Sequence, residues 1–433
     1  MSQKDAHRTW RIGVAGLGTV GGGLLGFLAE RPDYAPAGGR AVVTGVSARS
    51  RSRPRPVDIS NLAWFDDPVA LAQSPDIDIF VELVGGSDGP AKAAVEAALQ
   101  AGKAVVTANK ALIAEHGAEL AALAEAKGVP LLFEAAVMGG VPAVKTVREA
   151  LVGEDIRSLS GILNGTCNYI LTEMESSGSA FADVLAEAQR LGYAEADPTM
   201  DVGGFDAAHK ITILAALAFG GAPNYAAAEV EGITSVDLLD IRLAGDLGYR
   251  VKLIASAERA GEGARVRVRP FLVRKDHPIA QANGALNALF IEGERIGRIF
   301  LQGPGAGAGP TAAAVAADIA DVMTGGLRPV FQGPAAGLSP CAPSAGSAAA
   351  GRAYIRVMVR DEPGVLAAVS EELAEAGVSI ESFLQKPPGE APGVPIVMTT
   401  HAVAESVLEA AVARIGRLPS VLEPPRLLHI AGI

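Results

Sequence analysis

Cysteine is scarce in this chain. Its 433 residues hold two, Cys167 and Cys341, so no disulfide framework is indicated and a reducing cytoplasm fits. The six histidines are scattered, with no HExxH and no CxxC, which argues against a zinc site. No apolar run approaches the ~20 residues that a membrane span needs. The N-terminus, MSQKDAHRTW, is polar and leads straight into a strand, so no signal peptide is expected. Positive charge is in deficit: 37 Lys and Arg stand against 48 Asp and Glu, for a net charge of -11 and a pI near 5.2. That balance argues against nucleic acid or an anionic membrane as partner. What is present is ordinary for a soluble globular protein, 49% apolar and 20% charged, and the length suggests two to three domains.

Residues 10–15 (WRIGVA) read as a short apolar strand, followed by Gly16-Leu17-Gly18-Thr19-Val20-Gly21 and an apolar-periodic helix. This is GxGxxG in the context it requires, strand before and helix after. Gly16 allows the tight turn, Gly18 lets a pyrophosphate approach the backbone, and Gly21 lets the helix pack on the sheet. The helix N-terminus favours the phosphate charge. A second strand, 41–47, ends at Ala48-Arg49-Ser50-Arg51-Ser52-Arg53. An NAD-binding protein usually carries an acidic residue there for the ribose hydroxyls; arginines suit a 2′-phosphate, which favours NADP. The run to Arg55 also reads as a basic solvated loop. Strands at 77–83 (IDIFVEL) and 104–107 alternate with helices, as a parallel doubly wound sheet requires. Gly85, Thr107, Asn109 and Lys110 fall at strand C-terminal ends, where such sheets bind ligands. A further strand at 130–135 runs into a Gly- and Pro-containing turn.

In the second half, GILNGTCNYI (161–170) places Cys167 near a helix start. A helix N-terminus can activate a thiol; a buried structural cysteine is the other reading. The stretch GYAEADPTMDVGGFDAAHK (192–210) gathers Glu195, Asp197, Asp201 and Asp206, with Glu187 just upstream, beside Lys210. Glu195 and Asp201 sit in a Pro- and Gly-punctuated loop, and a helix follows Gly203-Gly204. Asp206 and Lys210 share one face of it. Either the carboxylates hold a substrate ammonium around a proton-donating lysine, or this is a solvated acidic loop with an ordinary ion pair. Strands at 249–257, 265–274, 285–292 and 295–301 suggest a mixed or antiparallel sheet separate from the first domain. The loop 303–310 (GPGAGAGP), before another helix, reads as cofactor-facing or as a hinge. Residues 325–350, rich in Gly, Pro, Ala and Ser, read as a linker. From 353 onward the order is βαββαβ, a ferredoxin-like unit.

These runs resemble the homoserine dehydrogenase family along essentially the full chain: 13–23 (GVAGLGTVGGG), 81–86 (VELVGG), 107–112 (TANKAL), 161–170, 192–210 and 301–319 (LQGPGAGAGPTAAAVAADI). The tail resembles an ACT domain, with Asp361-Glu362-Pro363-Gly364 as its ligand-site turn. The resemblance implies an α/β protein: an N-terminal Rossmann doubly wound parallel sheet at 1–140, to which helix 309–324 returns; an α+β catalytic and dimerisation domain at 141–308; a linker at 325–350; and a C-terminal ferredoxin-like ACT domain at 352–433. It implies reversible NAD(P)H-dependent reduction of L-aspartate 4-semialdehyde to L-homoserine, on the route to threonine, methionine and isoleucine, in the cytoplasm.

Residue by residue, it implies Lys210 as proton donor, Asp206 beside it, and Lys110 between nicotinamide and substrate. Glu195 would hold the substrate ammonium, and Asp201 would support that pocket. The cofactor would lie against Gly16, Gly18, Thr19, Val20, Gly21, Arg49, Lys110, Gly192 and Gly307. A structural sodium ion would be held by Glu134 and the backbone of Val137, Gly139 and Val141. Asp361 and Gly364 would face an effector, L-threonine, in a homodimer or homotetramer. The arginine-rich segment 49–55 departs from many relatives, which carry an acidic residue soon after the first arginine. The chemistry agrees with these roles: hydride transfer to an aldehyde builds charge on oxygen, and a protonated lysine offers both charge and proton. Two other readings compete. A nucleotide-sensing regulator would have no use for Lys110, Lys210 and Asp206 together. Another NADP-dependent reductase of an amino-acid aldehyde would not call for the 195–210 segment.

Overall fold

The computed structural model describes residues 8–31, 34, 39–261, 263–342, 350–386 and 393–433. The polar N-terminus 1–7, part of the linker (343–349) and the loop 387–392 lie outside the described residues.

The first sheet has six strands: β1 (Thr9–Ala15), β2 (Arg40–Ser47), β3 (Ala63–Phe65), β4 (Ile79–Glu82), β5 (Ala104–Thr107) and β6 (Leu131–Leu132). Their order is β3-β2-β1-β4-β5-β6 and every pairing is parallel. β4 and β5 are buried at every position, as strands covered by helices on both faces must be. The order reverses between β1 and β4, which opens a crevice at their C-terminal ends. β3 has no counterpart in the sequence reading, since three residues at a sheet edge carry too little periodicity. The strand expected at 130–135 is cut to Leu131–Leu132. Beyond it Glu134–Ala136 forms a 3-10 turn, where buried Glu134 accepts the backbone N–H groups of Val144 (3.1 Å) and Lys145 (2.7 Å). Helix Ala308–Thr324 joins the core of this first sheet and packs on helix Thr19–Glu30. Gly23 permits the contact, because a Cβ there would stand 2.5 Å from the Ala308 carbonyl oxygen.

The second sheet contains β7 (Ile156–Ile162), β8 (Glu229–Val230), β9 (Tyr249–Ala260), β10 (Gly263–Arg274), β11 (Leu286–Gly293), β12 (Gly297–Pro304), β13 (Ala350–Val359), β14 (Ile380–Gln385), β15 (Val394–Thr400), β16 (Val403–Ala404) and β17 (Arg426–Ile430). The path is β12-β11-β7-β9-β10-β17-β13-β15-β14, with β8 on β10 and β16 on β13. Helices Gly165–Ser177, Phe205–Phe219 and Leu238–Asp246 cover one face of its first half. The opposite face gathers Ile162, Ile254, Val273, Ala288 and Phe290 under the 3-10 turn Pro278–Gln281, with Ala431 and Ile433 packed against them. The tail has its own core under helices Val365–Glu375 and Glu405–Ile415, which gives the ferredoxin-like order β17-β13-β15-β14.

The middle sheet stands apart from the first sheet, as expected, and continues into the tail sheet: β17 runs parallel to β10 through Phe271–His429 and Leu272–Ile430. The described part of 325–350, read as a linker, is not a free tether. Val330 and Phe331 are buried, and the Phe331 ring sits 5.8 Å from that of Phe133. Two anchors among so many small residues escape a reading by composition. A buried ionic node ties the tail down further. Asp240, on helix Leu238–Asp246, accepts hydrogen bonds from the Tyr354 hydroxyl (2.9 Å) and from Arg356 Nε (2.6 Å) and Nη2 (3.2 Å), both on β13. Arg356 Nη1 also donates to Glu423 at 2.8 Å. Among the described residues no helix is long and apolar enough to cross a membrane.

Candidate active site

The glycine loop after β1 is shaped for a bound group. Gly16 has φ +95°, and a Cβ there would run into the Leu83 carbonyl oxygen. A Cβ at Gly18, by contrast, would meet nothing within 4 Å. This open backbone, followed at once by Thr19 and Val20 at the start of helix Thr19–Glu30, fits a pyrophosphate. Gly192 (φ +80°) closes helix Phe181–Leu191 and Gly307 (φ +119°) opens helix Ala308–Thr324; both are exposed.

The arginine run divides. Arg49 is exposed just beyond β2 and makes no hydrogen bond or ion pair among the described residues. Arg55 is not solvated as expected: its guanidinium donates to the carbonyls of Arg51 (3.0 Å) and Arg53 (2.9 Å) and lies 5.4 Å from the Trp64 ring.

At the far side of the crevice Lys110 is the first residue of helix Lys110–Lys127, and Asn109 caps that helix. The cap is fixed from below. Asn109 Nδ2 donates to Gly86 O (2.7 Å), and its N–H to Thr107 Oγ1 (2.9 Å). Thr107 in turn donates to Glu82 Oε2 (2.5 Å), while Glu82 Oε1 takes the N–H groups of Val84 and Gly85. Glu82 is fully buried. Reading by motif missed it; a lone charge at the end of the apolar strand IFVE is the signal that could have found it.

The 192–210 stretch delivers Asp206 and Lys210 into the same place. The segment before them is less loop than expected, since Thr199–Val202 forms a short helix. In helix Phe205–Phe219 every residue from Asp206 to Ala218 is buried. Lys210 Nζ donates to Asp206 Oδ2 (2.7 Å) and to Leu163 O (2.8 Å). Lys110 Nζ approaches Asp206 Oδ1 at 2.9 Å. One carboxylate is thus bracketed by two lysines from different domains. Burial alone would raise the Asp206 carboxyl; the Lys210 and Lys110 charges, with hydrogen bonds from Lys210 and Asn164, outweigh it and hold it well below the usual carboxylate range. The Asp206 charge in turn raises Lys110 above its ordinary value, against desolvation, with smaller help from Asp201 and Glu195. Asp201 is raised by burial, which the hydrogen bond from Asn164 opposes. Glu195 is exposed on the approach, and its side chain makes no hydrogen bond among the described residues.

Asn164 was not singled out from the sequence. It caps helix Gly165–Ser177 through Cys167 N (2.8 Å), and its Nδ2 reaches both Asp201 (2.7 Å) and Asp206 (2.9 Å). A polar residue just before a helix signals a cap, but not the second role. Cys167 is fully buried with its Sγ 3.1 Å from Asp201 O, and burial pushes its thiol well up. It is structural, not a poised nucleophile.

The positions expected to hold a cation lie behind the crevice. Met138 (φ +58°) and Gly139 (φ +52°) take the left-handed conformation between Val137 and Val141. Burial, then the Asp318 charge, pushes the Glu134 carboxyl up to about 7. Buried Glu134 and Asp318 share the Lys145 charge and offer oxygen atoms that a small cation could take. In the tail, the 361–364 turn is exposed at the end of β13, and Gly364 (φ +89°) opens helix Val365–Glu375.

Comparison with known proteins points to the homoserine dehydrogenases. Residues 142–320 match the family model for homoserine dehydrogenase, 16–134 that for the homoserine dehydrogenase NAD-binding domain, and 353–420 that for the ACT domain. The chain is 41% identical to the homoserine dehydrogenase of Neisseria gonorrhoeae over 98% of each chain. It is 43% identical to that of Pseudomonas aeruginosa over 96% of this chain and 97% of that one. A solved homoserine dehydrogenase from Thiobacillus denitrificans superposes with a TM-score of 0.90 at 40% identity, covering 98% of this chain and 99% of its own. A hyperthermophilic archaeal homoserine dehydrogenase in complex with NADPH superposes at 0.63 and 29% identity, over 72% of this chain and 96% of that one.

Proposed function

The chain belongs to the homoserine dehydrogenases, NAD(P)-dependent oxidoreductases, and on that premise we propose that Lys210 protonates the carbonyl oxygen of L-aspartate 4-semialdehyde as it is reduced to L-homoserine. The carrying observation is the Asp206 carboxylate held between Lys210 and Lys110 at the mouth of the nucleotide crevice. A bound nicotinamide nucleotide supplies the hydride. Lys210, fixed by Asp206 and Leu163 O, stabilises the charge growing on the substrate oxygen and delivers the proton. Lys110 adds a second positive charge beside the nicotinamide. Glu195 takes the substrate ammonium, and Asp201 supports that pocket. The test is cofactor oxidation with the semialdehyde as substrate. Lys210→Ala is expected to bind NADPH normally and to lose ~10²–10⁴-fold in turnover; near-normal turnover in a folded variant would sink the assignment.

Five finer readings belong with this one. NADP is favoured over NAD, supported by exposed Arg49 where an acidic residue would serve a ribose. A sodium ion at Glu134, with carbonyls of Val137, Gly139 and Val141, would offset the negative charge that Asp318 adds beside that buried carboxyl. The cell compartment is the cytoplasm, in keeping with two unpaired cysteines. The assembly is a homodimer or homotetramer, supported by the cavity of about 550 Å³ that opens on the sheet face around Ile254 and Phe290. L-threonine acting at the 361–364 turn is the proposed regulator. Turnover and calorimetry of the intact chain with and without threonine decide that point; neither inhibition nor heat would leave the tail a purely structural role.

A further inference from the structure

We propose that Asn164 is a positioning residue for the reduction: the neutral donor that holds the Asp201 and Asp206 carboxylates in one fixed constellation. The inference rests on the assignment of Lys210 as proton donor and of Asp201 to the ammonium pocket.

Asn164 is 4% exposed. Its Oδ1 faces the Cys167 N–H, which fixes the sense of the amide, so that Nδ2 must be the atom between the acids. Both hydrogens of that nitrogen are spent, one on Asp201 Oδ1 and one on Asp206 Oδ2. Two carboxylates within reach of one nitrogen repel each other in a dry site. The lysines relieve Asp206 directly, since Lys210 and Lys110 occupy its two oxygens. Among the described residues Asp201 has no comparable ion pair, and Asn164 is the donor to its side chain. The spacing between the ammonium site and the proton donor therefore runs through this amide.

Few side chains can do the same. Serine has a single donor. An ionised aspartate has none. Glutamine carries an extra methylene, which displaces the amide from the cap. Only asparagine caps the helix with its oxygen while giving two uncharged N–H groups to two acids.

Asn164→Asp separates the positioning role from the cap. The substitution is nearly isosteric and still accepts the Cys167 N–H, but it can donate only while protonated. With a third acid in the cluster, the proton it needs is lost as pH rises. The expected result is unchanged NADPH affinity, with kcat/KM for the semialdehyde down about ten- to hundredfold near pH 8. The loss should be recovered progressively on acidification, giving the pH profile a limb that the parent lacks. Asn164→Ala also removes the cap; its folded fraction should show raised KM together with lowered kcat and no such limb. A merely structural asparagine would lower the melting temperature and leave the profile of folded enzyme alone. Asn164→Asp with parental kcat/KM and an unaltered profile between about pH 6 and 9 overturns the proposal. Failure of the underlying reading looks different: Lys210→Ala would retain turnover, while a changed Asn164→Asp profile would still assign the bridge.

Discussion

Arg49 and Arg55 are two arginines of one short run with different fates. Arg55 is a strut, bonded to backbone carbonyls and laid over Trp64. Arg49 stays free at the end of β2, where a 2′-phosphate would stand. Arg49→Ala should therefore weaken NADPH by roughly tenfold or more while scarcely moving NADH. Fluorescence titration of both coenzymes measures this, and equal losses would mean a solvated side chain. The sequence alone does not sort the run, since nothing in its spacing says which guanidinium folds back. The same limit applies across the site. Asp206 and Lys210 were legible as a pair because four residues on a helix bring side chains together. The approach of Lys110 to Asp206, and the reach of Asn164 to Asp201 and Asp206, join distant segments and leave no local trace. Glu82 beneath Thr107 is hidden for the same reason.

Elements carry their own constraints, most plainly the turn between β1 and helix Thr19–Glu30. Gly16→Ala would force a side chain into the left-handed region and against Leu83 O. Strain of this kind costs ~1–3 kcal/mol before any clash is counted. A lowered melting temperature with weakened binding of both NADH and NADPH is expected, in contrast to the selective effect at Arg49. A variant with unchanged melting and coenzyme affinities would show the turn to be more tolerant than its geometry allows. Most elements were legible because burial writes itself into sequence: β4 and β5 as short apolar runs closed by one polar residue, helix Phe205–Phe219 as a largely apolar block after two glycines. The exceptions were those whose existence depends on partners elsewhere. β3 is a strand only because β2 lies beside it. β6 stops after two residues because Glu134 turns toward the backbone of Val144 and Lys145.

For the molecule as a whole, the continuous second sheet matters more than any one strand. The tail has a ferredoxin-like core, yet β17 pairs with β10, and Tyr354, Leu428 and Ile430 contribute to the central core. Cutting the tail away would remove part of the middle domain's packing, so substitutions at the 361–364 turn are the cleaner probe of regulation. Arg356 is the place to measure the docking. Removing it leaves Asp240 buried without its bidentate partner, and breaking such a pair costs about 3–5 kcal/mol. Arg356→Met should lower the melting temperature sharply; adding Asp240→Leu should restore much of the loss, because the orphaned charge goes with it. A single variant as stable as the parent would show that sheet pairing and apolar contacts suffice.

The far end of that sheet has a consequence for handling the protein. β14 is its last strand, with Phe383 42% exposed, and an open edge is a template on which another chain can add a strand. Glu381 and Lys386 lie along it, but their charges are paired with Arg352 and Asp246 and guard the edge little. Concentrated or warmed solutions should thus begin to aggregate from this edge. Phe383→Lys should raise the concentration at which light scattering detects association and leave turnover intact, whereas unchanged scattering would mean the edge is already covered in solution.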